Sequence, residues 1–241
     1  MSPEILKQLA PSGTLRAGIN LSNFLLVTGK SPGGDPEGVA PDMARAIAER
    51  LGVGFKLVPF QSPGELADAA GTDVWDIGLI GAEPARAEKI AFSPAYVEIE
   101  ATYLVPAGST LRTVEEVDRP GIRIAVSARS AYDLWLVRNI RQAQLVHAEG
   151  IEASYNLFVN DKLDALASLK PRLLSDVTRL PGARILDGKF TAVQQAVGTG
   201  KANAAAAAFL RDFVEEVKAS GFVAGLIARH HVAGLSVAPA A

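Results

Sequence analysis

Few of the 241 residues have side chains that could do covalent chemistry. The chain has no cysteine, which excludes disulfides, thiolate metal sites and thiol nucleophiles. Of the three histidines, His147 ends an apolar run and is expected to be structural, while His230 and His231 have no nearby glutamate and predict a solvated pair. No serine lies in a nucleophile elbow, so a Ser–His–Asp site has no local support. Gly198-Thr-Gly-Lys201 lacks the upstream glycine and the Ser or Thr of a phosphate-binding loop.

One pair of carboxylates, Glu98 and Glu100, could act as acid and base. The two glutamates alternate with the apolar residues Val97, Ile99 and Ala101. Because successive side chains of a strand point to opposite faces, this alternation favours an exposed strand face. Contact with a ligand or an acid–base role is the alternative. We expect no metal and no cofactor.

Polar side chains follow the predicted strands. Asn20, Ser22 and Asn23 come directly after the first apolar run. Ligands of open α/β sheets collect outside the carboxyl ends of the strands, so we expect Asn20 and Asn23 in a pocket, with loop capping as the alternative. Ser130 precedes a predicted helix, where a hydroxyl and free backbone N–H groups suit an anion; a helix N-cap is the other interpretation, and the two can coexist. Asp42 is interpreted as an N-cap.

The elements that must position these side chains are short apolar runs alternating with helical patterns, which is typical of βαβ units around parallel strands. The predicted strands are 14–20, 55–60, 76–80, 92–96, 101–105, 122–126, 145–147, 164–167, 184–186 and 194–198. The predicted helices are 41–51, a short one from 63, a brief one after 86, 131–139, one before 164 and 203–220. Residues 31–38 read as a turn-rich loop.

Two such series with a late return strand predict two Rossmann-like α/β lobes. Lobe 1 comprises residues 1–98 and 194–241, and lobe 2 comprises residues 99–193. The chain would then cross between the lobes twice. A two-strand hinge would allow closure around a ligand in the cleft between the lobes.

The order of motifs along the chain resembles the family-3 extracellular solute-binding proteins, the amino-acid-type receptors of ABC importers. The main similarity covers 76–96, where an Asp, an apolar strand and a loop ending in Pro84-Ala-Arg86 precede Phe92-Ser-Pro-Ala-Tyr96. The other matching segments are Glu37-Gly38 to Asp42, Arg50-Leu-Gly52, 126–133, Asp164-Ala165, Ser220-Gly-Phe-Val and Ile227-Ala-Arg. No single motif is specific, but the ordered set covers nearly the whole chain.

The resemblance implies a periplasmic binding protein of the second type, with Arg86 binding a ligand carboxylate. A guanidinium presents a planar fork of donors that matches a carboxylate. A surface arginine near a helix start is the alternative. The predicted ligand-binding set is Arg86, Ser130, Asn20, Asn23, Arg129, Ala131, Glu83, Ala82, Tyr132 and Leu169.

Three positions depart from the family's pattern. Leu169 stands where receptors for α-amino acids usually have the Asp that binds the ammonium, and Arg129 replaces the usual glycine before the second-lobe helix. Glu83 replaces a threonine in a shortened loop. The loss of an anion and the gain of a cation argue for a carboxylate or dicarboxylate without an amino group. Glu83 could instead restore an ammonium contact.

The resulting functional prediction is a non-enzymatic receptor that captures a small polar, carboxylate-bearing metabolite for the permease of an ABC transporter. One alternative is a lyase on the same scaffold that dehydrates cyclohexadienyl acids, with Glu83 or Glu100 as a general acid of raised pKa. Another is a cytoplasmic small-molecule sensor.

Charge and hydropathy limit the other partners. A formal net charge of −2 gives no reason to expect nucleic acid, and no stretch approaches 18 consecutive apolar residues, so we expect no membrane insertion. We expect a monomer. The N-terminal residues do not read as a secretion signal, which predicts a periplasmic protein if a leader has been removed and a cytoplasmic one if Met1 is the native start.

Overall fold

The computed structural model describes residues 1–241, which form a mixed α/β structure. The strands are β1 (Thr14–Asn20), β2 (Gly29–Lys30), β3 (Pro36–Glu37), β4 (Gly54–Phe60), β5 (Ile77–Gly81), β6 (Ile90–Val105), β7 (Arg123–Ser127), β8 (Gln144–Ala148), β9 (Ala165–Leu169), β10 (Arg184–Ile185), β11 (Thr191–Gly200) and β12 (Ser236–Val237). The helices are α1 (Pro3–Leu9), α2 (Val39–Leu51), α3 (Pro63–Asp68), α4 (Ala131–Asn139), α5 (Ile151–Asn160), α6 (Lys170–Arg179), α7 (Ala204–Ala219) and α8 (Phe222–Arg229). Short 3-10 helices cover Arg86–Glu88 and Val114–Val117.

The chain divides into two compact units. Unit 1 comprises Met1–Glu98 and Gln194–Ala241, and unit 2 comprises Ile99–Val193. Both crossings between the units lie inside long strands, the first in β6 and the second in β11.

In unit 1 the strand order is β4-β1-β5-β11. β1 runs parallel to β4 and β5, and β11 runs antiparallel to β5. β5 is buried along its whole length, as expected for a strand covered on both faces. α2 packs on β1 through a stripe that includes Met43 and Ile47, and α3 packs on β5 through Leu66.

In unit 2 the strand order is β6-β9-β7-β8, with β7 parallel to β8 and β9 and with β9 antiparallel to β6. The core lies between this sheet and the helices α5 and α6. Its buried members are Leu104, Ala125, Tyr155, Phe158, Leu163, Leu166 and Leu173. None of the helices in the chain is long and apolar enough to cross a lipid bilayer.

Several predicted elements differ from the structure. The segments 92–96 and 101–105 are parts of one strand, β6, because the glutamates between them continue the alternation without a turn. The predictions did not assign α1, α6 or α8, and residues 31–38 contribute β3 to a small hairpin with β2.

The N-cap prediction for Asp42 is wrong. α2 begins one turn earlier, after Gly38, and no side chain caps it. The Asp42 carboxylate instead lies 2.8 Å from His230 Nε2 and 3.4 Å from Arg229 Nη1. The solvated-pair prediction is therefore also wrong for His230, whose side chain is largely buried.

Candidate functional site

The first group of candidate residues lies at the carboxyl edge of the parallel strands of unit 1. β1 and β5 pair in register from Ala17↔Ile77 to Ile19↔Leu79, so Asn20 and Gly81 leave the sheet at the same edge. This is the edge at which α/β sheets gather their ligand-binding loops.

The loop after β1 is held by its own asparagines. Asn20 Oδ1 accepts hydrogen bonds from the backbone N of Ser22 at 3.1 Å and from its hydroxyl at 2.8 Å. Asn23 Oδ1 accepts one from Leu25 N at 3.2 Å. Both side chains therefore cap the loop, which was the alternative interpretation of Asn20. Phe24 is 39% exposed on the same loop, an aromatic side chain that the sequence interpretation did not include.

Arg86 is buried at the end of β5, with only 6% of its surface exposed. Its Nη1 donates to the carbonyl oxygen of Gly81 at 2.7 Å, which directs the guanidinium back towards the end of the strand. The carbonyl oxygen of Glu83 accepts from the backbone N of Arg86 and of Ala87, each at 2.9 Å, so the loop is a tight turn. Ala82 N donates to Gln194 O at 2.7 Å and ties the start of this loop to β11.

A guanidinium in such a place keeps its charge, because arginine does not deprotonate in proteins. Burial of a cation is costly unless polar groups face it, and anionic oxygens are its strongest partners. The Glu83 side chain is also buried in this loop. The arrangement can bind an oxyanion, and a carboxylate fits the fork of donors best.

The second group lies at the carboxyl edge of unit 2. β7 ends at Ser127, and Ser130 is the N-cap of α4, with its Oγ accepting from Asp133 N at 3.1 Å. The N-cap interpretation of Ser130 is confirmed. Ala131 and Tyr132 follow in the first turn, where backbone N–H groups have no partner within the helix.

Arg129 and Asp133 shape the turn before α4. Arg129 is exposed and has a φ of 59°, in the left-handed region that favours glycine. Its backbone N donates to Asp133 Oδ2 at 2.7 Å, and Asp133 Oδ1 lies 2.9 Å from His147 Nε2. The sequence interpretation did not single out Asp133 as the residue that holds this turn, although its place three residues after a serine is the signal of a helix N-terminus.

Buried hydroxyl groups gather at the same edge of unit 2. Tyr132 is 3% exposed and Ser168 is 1% exposed, and Ser127 is also buried. Burial raises the pKa of the Tyr132 phenol, and the nearby hydroxyls of Ser168, Ser130 and Ser127 oppose that rise. Leu169, which follows Ser168 at the end of β9, is buried and apolar.

The acidic pair in β6 does not match the expectation for a general acid. The Glu100 carboxylate lies 3.0 Å from Lys170 Nζ and 3.2 Å from Lys189 Nζ. Hydrogen bonds from these two ammonium groups hold the pKa of Glu100 below its ordinary value. A raised pKa at Glu100 is therefore contradicted. Glu98 accepts a hydrogen bond from Gln194 Nε2 at 2.9 Å.

Two α/β units with polar side chains and helix N-termini at the carboxyl edges of their strands are typical of the binding-protein class of folds. Residues 21–232 match the bacterial extracellular solute-binding proteins, family 3. The chain belongs to this family, and its fold is that of the type II periplasmic binding proteins.

The similar proteins include both binding proteins and enzymes. A mutant of ArgBP from T. maritima superposes with a TM-score of 0.74 at 21% identity, covering 94% of this chain and 99% of that one. An ancestral amino acid-binding protein, a precursor of cyclohexadienyl dehydratase, superposes with a TM-score of 0.74 at 20% identity, covering 93% and 97% of the two chains. The cyclohexadienyl dehydratase of Pseudomonas aeruginosa is 26% identical over 166 residues, which span 67% of this chain and 61% of that protein.

Proposed function

We propose that the protein captures a small, carboxylate-bearing metabolite, an amino acid or an organic acid, and delivers it to the permease of an ABC transporter. The observation that carries the proposal is the buried Arg86 guanidinium, anchored on the Gly81 carbonyl at the carboxyl edge of unit 1. Membership of the solute-binding family supports the transport role.

In unit 1, Arg86 binds a carboxylate; in unit 2, the N-terminus of α4 and the Ser130 hydroxyl supply donors for a polar group. In each unit, the hydrogen-bond donors lie at the carboxyl edge of the sheet, where the ligand-binding loops of α/β proteins are found. Charge-assisted hydrogen bonds strengthen when water is excluded, so burial of a solute against these donors would favour a charged metabolite over a neutral one.

The first test identifies a ligand and then removes Arg86. Native mass spectrometry of the purified protein would look for a bound small molecule, and thermal-shift screening of amino acids and organic acids would extend the search. For the best ligand, Arg86→Ala should weaken binding by about 1.5–3 kcal/mol, the contribution of a hydrogen bond to a charged group, which is about 10- to 150-fold in Kd.

Arg45→Ala is the matched control, because Arg45 is an exposed arginine of unit 1 whose guanidinium lies over the Phe55 ring, 5.0 Å from its centroid. Its Kd should equal that of the wild type. If Arg86→Ala and Arg45→Ala bind the ligand equally well, Arg86 does not hold the carboxylate and the proposed site is wrong.

The second candidate is a lyase related to cyclohexadienyl dehydratase, which the curated relative from Pseudomonas aeruginosa favours. With Glu100 held ionised by two lysines, Glu83 is the remaining candidate acid. The test is turnover of a cyclohexadienyl acid by the wild type, with loss of turnover in Glu83→Gln. Turnover that survives Glu83→Gln would exclude this assignment, and tight binding without turnover would favour the receptor.

A further inference from the structure

Four hydroxyl groups form a buried cluster in unit 2. Ser127 is the last residue of β7, Ser168 is the fourth residue of β9, and Ser130 and Tyr132 begin α4. We call these four residues the hydroxyl cluster. The parallel register Ile124↔Ala165, Ala125↔Leu166 and Val126↔Ala167 brings the ends of β7 and β9 together, which is why two serines far apart in sequence meet there.

Two members of the cluster lack hydrogen-bond partners. Tyr132 Oη and Ser168 Oγ are both buried, and neither makes a hydrogen bond of full geometry within the protein, although the other hydroxyls of the cluster lie close enough to oppose the rise in the Tyr132 pKa. Both residues are more than nine-tenths buried. Buried hydroxyls are nearly always paired in native proteins, because an unpaired one has given up its bonds to water. Two such groups side by side at a helix N-terminus indicate a place for a polar group from outside the chain.

The charges and donors around the hydroxyl cluster determine which kind of polar group can bind there. The N-terminus of α4 carries a partial positive charge, and Arg129 adds a full one in the preceding turn. Leu169 contributes only apolar surface. An oxygen substituent would meet hydroxyl and N–H donors here, whereas the one carboxylate close to Tyr132, that of Asp133, already accepts from Arg129 N and contacts His147.

We infer that the hydroxyl cluster, through Tyr132 and Ser168, binds an oxygen substituent of the solute, so that this protein prefers hydroxy, oxo or dicarboxylic acids to α-amino acids. This inference rests on the proposed function and deepens it, since it names the class of carboxylate that the receptor takes. The preference concerns the group on carbon 2 of the solute and does not depend on the length of the solute's side chain.

The test compares acids that differ only at carbon 2. Isothermal titration calorimetry would use L-glutamate, L-2-hydroxyglutarate and 2-oxoglutarate as one set, L-alanine, L-lactate and pyruvate as a second, and L-phenylalanine, L-phenyllactate and phenylpyruvate as a third. Within the set that binds, an oxygen-bearing member should bind at least about tenfold more tightly than the amino acid, the effect of one hydrogen bond.

Tyr132→Phe and Ser168→Ala should each weaken binding of that member about tenfold and leave the Tm unchanged or higher, because no internal hydrogen bond is removed. Ser154→Ala is the control: Ser154 is equally buried in unit 2, but its hydroxyl donates to Ile151 O at 2.7 Å. This variant should lose Tm and keep the wild-type Kd.

Three outcomes would overturn the inference. If the amino acid binds most tightly, the receptor function stands and the preference is wrong; loss of that binding in Glu83→Gln would then assign the ammonium contact to Glu83. If Tyr132→Phe and Ser168→Ala keep the wild-type Kd, or lose Tm as Ser154→Ala does, the hydroxyls serve the fold. If no set binds at all, both the inference and the carboxylate-receptor proposal fail.

Discussion

Removal of the Asp133 carboxylate tests how the turn before α4, at the carboxyl edge of unit 2, is held in place. The side chain is 4% exposed and accepts from Arg129 N at 2.7 Å. A hydrogen bond to a charged acceptor contributes about 1.5–3 kcal/mol, and an anion in the first turn of a helix adds about 0.3–1 kcal/mol. The contact with His147 adds about 0–1 kcal/mol, because the imidazole is 42% exposed to water. We therefore expect Asp133→Ala to lower the free energy of unfolding by about 2–5 kcal/mol.

The assay is urea unfolding followed by circular dichroism, with hydrogen exchange of the amides of residues 127–139 to show where the loss occurs. Asp133→Asn keeps an acceptor for Arg129 N but loses the charge, so it should cost about 1 kcal/mol. Ser130→Ala removes only the N-cap and should also cost about 1 kcal/mol. The reasoning is refuted if Asp133→Ala costs less than either of these variants, or if exchange in residues 127–139 does not change.

Two further predictions concern stability. Gly38 has a φ of 145°, and a Cβ there would lie 2.3 Å from a backbone oxygen, so Gly38→Ala should lower the free energy of unfolding by more than about 2 kcal/mol. Gly225 lies on α8 with open space around it, so Gly225→Ala should be neutral or stabilising. Thermal melts of both variants would check the two predictions. Glu152 is hydrogen-bonded to Arg179 and Arg172, which lower its pKa from the ordinary 4.5 to about 2. The ion pairs of Glu152 are thus fully stabilising above about pH 4.5 and are lost as the pH falls towards 2. The Tm difference between the wild type and Glu152→Gln should therefore shrink over that range. A Tm difference independent of pH would contradict the assignment.

Much of the fold was predictable because the apolar runs are clear. The fold class is confirmed, and α4 occupies the predicted residues. α7 lies within one residue of its prediction at each end, since a long alanine-rich segment with regularly spaced apolar residues favours a helix whatever packs on it. α6 was missed because it is strongly polar: only Leu173 and Asp176 are buried, and its charged face makes ion pairs with Glu152.

The candidate site was less predictable, because its contacts are made between segments distant in sequence. The residue types at the ends of strands indicated where polar side chains collect, and the N-cap at Ser130 could be predicted from local sequence alone. The pairing of Asp42 with His230 joins residues nearly the whole chain apart, and nothing in either segment signals it. Ser168 likewise lies next to Tyr132 only through the register of β9 with β7.

The two functional candidates differ in what they require of the carboxylates, and the structure removes one of the two candidate acids. A dehydrating lyase needs a carboxyl group that holds a proton near neutral pH, which requires burial away from cations. Glu100 has the opposite environment, with two lysine ammonium groups in contact. A receptor needs no proton transfer; it needs fixed donors that match the solute. The anchored guanidinium of Arg86 and the hydroxyls of Tyr132 and Ser168 are groups of that kind, and they support the binding proposal.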